Sequence, residues 1–209
     1  MKGDSETKKN SVVVSIPMLP PDNLSKIRYR LSEEEFSSET SFPGIALIEN
    51  FVDLSKETKL ITVRTDDDNN RTAECYSLFR EELFLLSQRK EIKLDISEEI
   101  IVPHNESTEK ENLILRALFE NFLEKSDVFL DLTYGTKLTA IEMFSSLFYA
   151  EIAKNCNIKK VVYGKFSFNE SGIGELFDAT KLYNKIRLLG TAQFMEKEIF
   201  SDFVENNLI

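Results

Sequence analysis

The sequence contains little of the chemistry that metal centres and many hydrolases use. It has one histidine, His104, and two cysteines, Cys75 and Cys156, which lie far apart along the 209 residues. A zinc site of Cys and His ligands cannot be assembled from this set. The Gly-x-Ser-x-Gly elbow of α/β hydrolases is absent, which argues against a hydrolase triad. We therefore expect no metal and no cofactor, and we interpret both cysteines as reduced residues of a cytoplasmic protein.

Tryptophan, long apolar runs and a leader pattern are missing as well. The aromatic residues include 16 Phe and no Trp, which predicts a core rich in Phe. Residues 1–10, MKGDSETKKN, lack the apolar stretch of a secretory signal. No apolar run approaches the roughly 18 residues that cross a bilayer, because Glu142 and Glu151 interrupt the best candidate. We expect no membrane segment in this chain.

Acidic residues outnumber basic ones, and this limits the partners. The 36 Asp and Glu against 26 Lys and Arg give a net charge of -10. Binding to duplex nucleic acid without sequence preference depends on clustered Lys and Arg, so we expect no duplex nucleic acid partner. A small anionic ligand held in a local basic pocket is compatible with this charge.

Strand and helix patterns alternate along most of the chain. β-Branched or apolar runs predict strands at residues 12–16, 27–31, 60–65, 92–96 with 100–102, 128–132, 158–166 and 175–179. Apolar spacings of three or four predict helices at residues 72–89, from 107 or 108 to 122, 138–155, 181–189 and 193–206. We interpret residues 32–40 as an acidic loop, while residues 45–54 fit a strand or a helix. The alternation predicts an α/β fold with a mostly parallel sheet flanked by helices.

Residues 128–150 form the most informative segment, a strand that passes into a helix through Thr133-Tyr134-Gly135-Thr136-Lys137. Such a turn directs backbone N–H groups and the positive end of a helix dipole at one spot, which suits a phosphate. Lys137 could add a full positive charge. The alternative is an ordinary βα turn capped by Thr136, with Lys137 in solvent. A single Gly before Lys137 excludes a Walker A loop.

Two other loops at predicted strand ends carry polar side chains. His104-Asn105-Glu106 places an imidazole beside a carboxylate, a pair capable of acid–base work. A polar loop that leads into a helix is the alternative at this position. Residues 66–70, DDDNN, lack the central Gly and the distal Glu of an EF-hand loop. We interpret them as a solvated acidic turn from which Asn69 and Asn70 could reach a ligand.

Four segments resemble CARF domains, the Rossmann-like sensor modules of type III CRISPR systems, in order and spacing. The segments are residues 130–137 (LDLTYGTK, where the family commonly shows Asp-x-Thr-[His/Tyr]-Gly), 101–107, 161–165 and 176–180. The resemblance covers residues 12–180. It implies a Rossmann-like domain at residues 11–180, preceded by a disordered segment, residues 1–10, and followed by a helical extension, residues 181–209.

The resemblance also implies a function and a site. CARF domains are homodimers that bind cyclic oligoadenylate, usually the tetra-adenylate, across a two-fold axis. The implied ligand-binding residues are Pro17, Met18, Leu19, Asn69, Asn70, His104, Asn105, Glu106, Thr133, Tyr134, Gly135, Thr136 and Lys137. Too few residues follow Thr180 for a catalytic effector, so we expect a sensor that regulates an attached or partner effector in antiviral signalling. The alternative is a metal-independent ring nuclease that cleaves cyclic tetra-adenylate in the same groove.

Overall fold

A computed structural model describes residues 9–67, 69–92, 94, 96–104, 108–166 and 172–192, with residues 108–112 and 191–192 described by their backbone alone. The strands in these ranges are β1 (Asn10–Ser15), β2 (Ile27–Arg30), β3 (Phe36–Thr40), β4 (Thr58–Asp66), β5 (Ile96–Pro103), β6 (Asp127–Asp131), β7 (Asn157–Phe166) and β8 (Ile173–Asp178). The helices are α1 (Pro43–Phe51), α2 (Arg71–Arg89), α3 (Thr108–Asn121), α4 (Lys137–Lys154) and α5 (Thr180–Ala192). A 3₁₀ turn at Pro21–Asn23 lies between β1 and β2.

The strands pair into one mixed sheet in the order β3-β2-β8-β7-β6-β1-β4-β5. The five strands from β5 to β7 run parallel to one another. β8 is antiparallel to β7, and β2 runs parallel to β8 and antiparallel to β3. Parallel neighbours require crossover connections, which helices supply here. The α/β fold with a mostly parallel, Rossmann-like sheet flanked by helices is confirmed.

Helices cover the parallel part of the sheet on both sides. α1 and α2 pack on one face, called here the first face, where Val12 and Val14 of β1 meet Phe79 of α2. α3, α4 and α5 pack on the second face, where Val13 meets Leu147 of α4. Strands buried on both faces are apolar without alternation, which explains the continuous Val run of β1.

The structure corrects the prediction for residues 32–40 and settles the ambiguous one for residues 45–54. The prediction of a loop for residues 32–40 was wrong in part, because Phe36–Thr40 form β3. An edge strand has one neighbour and can carry charged residues, so its composition resembled that of a loop. The ambiguous residues 45–54 lie mainly in α1, which begins at Pro43. Proline suits the first helical position because its missing N–H would have no helical partner there.

Residues near both ends of the described part of the chain are buried. Asn10 is fully buried and opens β1, although it was placed in the N-terminal segment. Residues 1–8, Ser107 and the predicted helix at 193–206 lie outside the described residues. In α5, the ring of Tyr183 packs against Phe144 and Phe148 of α4, with centroids 5.9 Å and 5.0 Å away. Tyr183 of α5 is therefore part of the core of the second face.

Two glycines allow α1 to lie directly on the sheet. A Cβ atom on Gly44, in the first turn of α1, would overlap Cγ1 of Val14 in β1. A Cβ atom on Gly164 of β7 would overlap Cγ of Pro43. The start of α1 is thus pressed against β1 and β7 at the carboxyl edge of the parallel strands.

We predict that Gly44→Ala lowers the free energy of unfolding by about 1–3 kcal/mol, because the added methyl group overpacks a closed contact. Gly190→Ala in α5 is the matched control, since a Cβ atom there meets nothing within 4 Å. This control should gain about 0.5–1 kcal/mol from helix propensity. Urea unfolding followed by circular dichroism measures both. A Gly44→Ala protein as stable as the wild type would contradict the close approach.

Candidate functional site

The chain leaves the carboxyl ends of β1 and β6, two neighbouring parallel strands, in opposite directions. After β1 it passes to the first face, where the thiol of Cys75 in α2 donates a hydrogen bond to the carbonyl of Leu19 at 3.2 Å. After β6 it enters α4 on the second face. Divergence of this kind opens a crevice, and open α/β sheets bind ligands there. We call the carboxyl edge between β1 and β6 the switch-point crevice.

A serine closes the base of the switch-point crevice. The hydroxyl of Ser15 donates to the carbonyl of Asp131 at 3.3 Å and accepts from the N–H of Tyr134 at 2.9 Å. The Tyr134 side chain lies in the core of the first face, and its hydroxyl donates to the carbonyl of Ser41 at 3.5 Å. Burial raises the pKa of this phenol. The Tyr134 ring therefore anchors the turn, and only its backbone is near the crevice.

A buried carboxyl lies directly beneath the turn. Asp131, the last residue of β6, is 1% exposed, and its Oδ1 accepts from the N–H of Thr133 at 3.0 Å and from the Thr133 hydroxyl. Its Oδ2 faces Gly44 in the first turn of α1, an end that favours negative charge. Desolvation raises the pKa of Asp131 to about 7, although the hydrogen bonds from Thr133 oppose the shift.

The hydroxyl of Thr133 joins β6 to β7. It donates to the carboxyl of Asp131 and accepts from the N–H of Gly164 at 2.8 Å. A hydroxyl has one proton to donate, so Thr133 has no second proton to offer to a ligand. The Asp131-x-Thr133 pair of the sequence motif is therefore a structural bridge, which we call the Asp131–Thr133–Gly164 bridge.

The second half of the turn faces solvent. Gly135 is exposed and adopts φ +100°, a conformation that favours glycine. Thr136 is the N-cap of α4, and its hydroxyl accepts from the N–H of Thr139 at 3.2 Å. Lys137 is the first helical residue and is exposed. Gly135 and Lys137 are thus the turn residues best placed to meet a ligand, at the positive end of an 18-residue helix.

The loop after β1 forms the opposite side of the switch-point crevice. Pro17 is buried, Met18 is half-buried and Leu19 is 42% exposed. This loop and the β6 turn are therefore brought together, since β1 and β6 are adjacent strands. Leu19 therefore offers an exposed apolar surface on this side of the crevice.

The remaining predicted site residues lie farther along the same edge. Asn69 and Asn70 are exposed after β4, where the carboxylate of Asp67 accepts from the N–H of Thr72 at 3.2 Å and caps α2. His104 is exposed after β5, three strands from β6 and therefore about 14 Å away across the sheet. Asn105 and Glu106 lie outside the described residues.

β7 extends beyond the switch-point crevice; the sequence predicted a strand at residues 158–166 but not that it would continue past the end of β6. Its pairing with β6 ends at Val162, opposite Asp131, but β7 continues to Phe166 in partnership with β8 alone. These four further residues span about 13 Å. Tyr163 projects toward the second face, because Val161 two residues earlier lies in that core. We call this extension the β7–β8 overhang.

Metal binding and membrane insertion find no support in this part of the chain. Among the residues that the structure describes, no three His, Cys, Asp or Glu side chains converge on a position for a metal ion. None of the described helices combines the length and the apolarity that crossing a bilayer requires.

No protein-family model matches the chain, and no curated protein matches it. Function must therefore be inferred from the crevice and from the motif pattern.

We predict that Asp131 makes stability depend on pH between about 4 and 7. Its folded pKa of about 7 exceeds the unfolded value near 3.9, so the folded state holds a proton that the unfolded state has lost. The stability that this proton contributes is present below pH 4 and is lost as pH rises to 7. The stability of Asp131→Asn relative to wild type should therefore increase as pH rises over that interval.

Urea unfolding at pH 5, 6, 7 and 8 measures this difference. Asp178→Asn is the control, because Asp178 has a lowered pKa: hydrogen bonds from Lys160 and Thr180 outweigh the desolvation that raises it. The difference between the control variant and wild type should stay level over these pH values. If the difference in the free energy of unfolding between Asp131→Asn and wild type also stays constant over these pH values, the Asp131 carboxyl does not titrate in this range.

Proposed function

We propose that the switch-point crevice binds a cyclic oligoadenylate, in particular cyclic tetra-adenylate, and that the protein is a sensor in type III CRISPR antiviral signalling. The observation that carries the proposal is the position of the motif turn. Residues 133–137, the core of the CARF-like pattern, lie at the topological switch point and expose Gly135 and Lys137 there. In this proposal, ligand binding regulates an attached or partner effector.

Phosphate is the ligand group that the turn suits best. The first turn of α4 presents N–H groups that have no partner within the helix, together with the positive end of its dipole. Lys137 adds a formal charge at the same end. Charge-assisted hydrogen bonds of this kind are about twice as strong as neutral ones. These hydrogen bonds would attract a phosphate locally, although the chain has a net charge of -10.

The surface of α4 supports the proposal of a homodimer. Ile141, Tyr149 and Ile152 are exposed, Ile152 by 81%. At 3.6 residues per turn, the three fall within about 80° of one another on the helix. Exposed apolar stripes mark interfaces. A cyclic tetra-adenylate has two-fold symmetry, so an isologous dimer can meet it with the same contacts from each subunit.

The hydroxyl contacts favour binding over cleavage of the ring. A ring nuclease would use groups in the turn to align the ribose 2′-hydroxyl and to stabilise charge on the phosphate. The Thr133 hydroxyl is engaged by Asp131 and Gly164, and the Thr136 hydroxyl is engaged by Thr139. Lys137 is then the one charged side chain of the turn, which is a sparse set for catalysis.

Calorimetry with the purified wild-type protein tests the proposal. We expect cyclic tetra-adenylate to bind at micromolar or lower concentration with one ligand per two chains, because each ligand spans a dimer. The ligand should be recovered intact after hours without metal. If neither the tetra- nor the hexa-adenylate ring binds, the proposal is wrong. Appearance of linear di-adenylate would instead establish the ring nuclease alternative.

Lys137→Ala should weaken binding of cyclic tetra-adenylate by a factor of about 10 to 150. A hydrogen bond to a charged group contributes about 1.5–3 kcal/mol, and each 1.4 kcal/mol is a factor of ten. Lys90→Ala is the matched control, since Lys90 is exposed at the far end of α2. Calorimetry measures both variants. Equal affinities for Lys137→Ala and wild type would place the Lys137 ammonium group in solvent.

A further inference from the structure

Two aromatic side chains stand side by side in solvent on the β7–β8 overhang. Tyr163 of β7 and Phe177 of β8 are paired across the antiparallel ladder and are 47% and 51% exposed. Side chains of directly opposed residues lie on the same face of a sheet, with Cβ atoms about 5 Å apart. Tyr29 and Tyr183, which contact the neighbouring cores, are by contrast 0% and 1% exposed. The exposed pair therefore belongs to neither core.

The pair lies on the side of the sheet where α4 begins. Tyr163 shares the second face with Val161, whose core includes Met143 of α4. The residue after Tyr163, Gly164, donates its N–H to the Thr133 hydroxyl at 2.8 Å. This hydrogen bond fixes the β7 backbone beside Tyr163 to the turn, and Tyr163 lies on the side of the sheet that α4 covers.

The charged neighbours of the pair suit a nucleotide. The next cross-strand pair on the same face is Lys165 with Glu175, whose Nζ and Oε2 atoms are 3.8 Å apart. Lys165 is exposed, and Lys137 lies at the start of α4 on the same side of the sheet. An exposed aromatic surface with Lys137 on the same side of the sheet resembles in its chemistry the sites that hold unpaired bases, which stack on aromatic rings while phosphates meet Lys or Arg.

We propose that Tyr163 and Phe177 form a stacking platform for an unpaired purine base of the ligand whose phosphate lies at the start of α4. The inference rests on the proposed function, because it assigns one adenine of the cyclic oligoadenylate to this platform. Stacking uses the face of the base and adds affinity that a helix terminus cannot provide. The platform would make the crevice prefer adenylate rings to other anions of equal charge.

Calorimetry with cyclic tetra-adenylate tests the platform with four single variants. Tyr163→Ala and Phe177→Ala should each bind about ten-fold more weakly than wild type, as expected for the loss of one stacked base. Tyr163→Phe keeps the ring and should bind about as tightly as wild type. Phe84→Ala is the control for loss of an exposed aromatic residue, since Phe84 lies on α2 and is also exposed; its affinity should not change.

A fluorescent ligand separates stacking from indirect effects on the fold. In a cyclic tetra-adenylate with one adenine replaced by 2-aminopurine, stacking on the platform should quench the emission. At saturating protein, wild type and Tyr163→Phe should quench it, and Tyr163→Ala should restore much of the emission. A structural defect alone would change the affinity and leave the quenching of the bound ligand as it is.

The outcomes distinguish the platform from the function on which it rests. If wild type binds the ring and both alanine variants bind it equally well with full quenching, the platform is wrong while the sensor function stands. If wild type does not bind the ring at all, both are overturned. Weaker binding by the alanine variants, rescue by Tyr163→Phe and loss of quenching together support the platform.

Discussion

The Asp131–Thr133–Gly164 bridge holds the carboxyl edge of the sheet together. Asp131 accepts two hydrogen bonds from Thr133, and the Thr133 hydroxyl accepts the N–H of Gly164, so β6 and β7 are fixed to each other at the point where β6 ends. Gly164 has no room for a side chain because Pro43 of α1 lies against it. Three elements, β6, β7 and α1, therefore meet at one buried carboxyl.

Such a bridge has an energetic cost, and it determines which part of the turn is exposed. Burial of a carboxyl group is unfavourable unless hydrogen bonds and a nearby positive end of a helix compensate for it. Asp131 has both, from Thr133 and from the first turn of α1, yet its pKa is raised to about 7. Because the first half of the turn is used for this purpose, the part of the turn that is open to solvent is its second half, where Gly135 and Lys137 are exposed.

The sequence patterns predicted the helices and strands whose burial leaves a clear apolar pattern in the sequence. The Val run of β1 and the apolar spacing of α2 are examples, because a buried face must be apolar along its length. β3 was missed since an edge strand can be acidic, and α1 was ambiguous because six consecutive residues from Pro43 to Ile48 are buried. At the site, the turn was visible in the sequence, but the role of Thr133 was not. Its partner Gly164 is 31 residues away, a contact that local patterns do not encode.

Recognition of one anion among many needs more than a positive helix end. A helix terminus and a lysine attract phosphate, sulfate and carboxylate groups alike, and salt screens this attraction. A stacking surface discriminates by the shape and the π system of a base, and it depends little on net charge. The β7–β8 overhang places Tyr163 beside the turn only because β7 continues past the end of β6. The length difference between two neighbouring strands is therefore what would turn a general anion site into a nucleotide site.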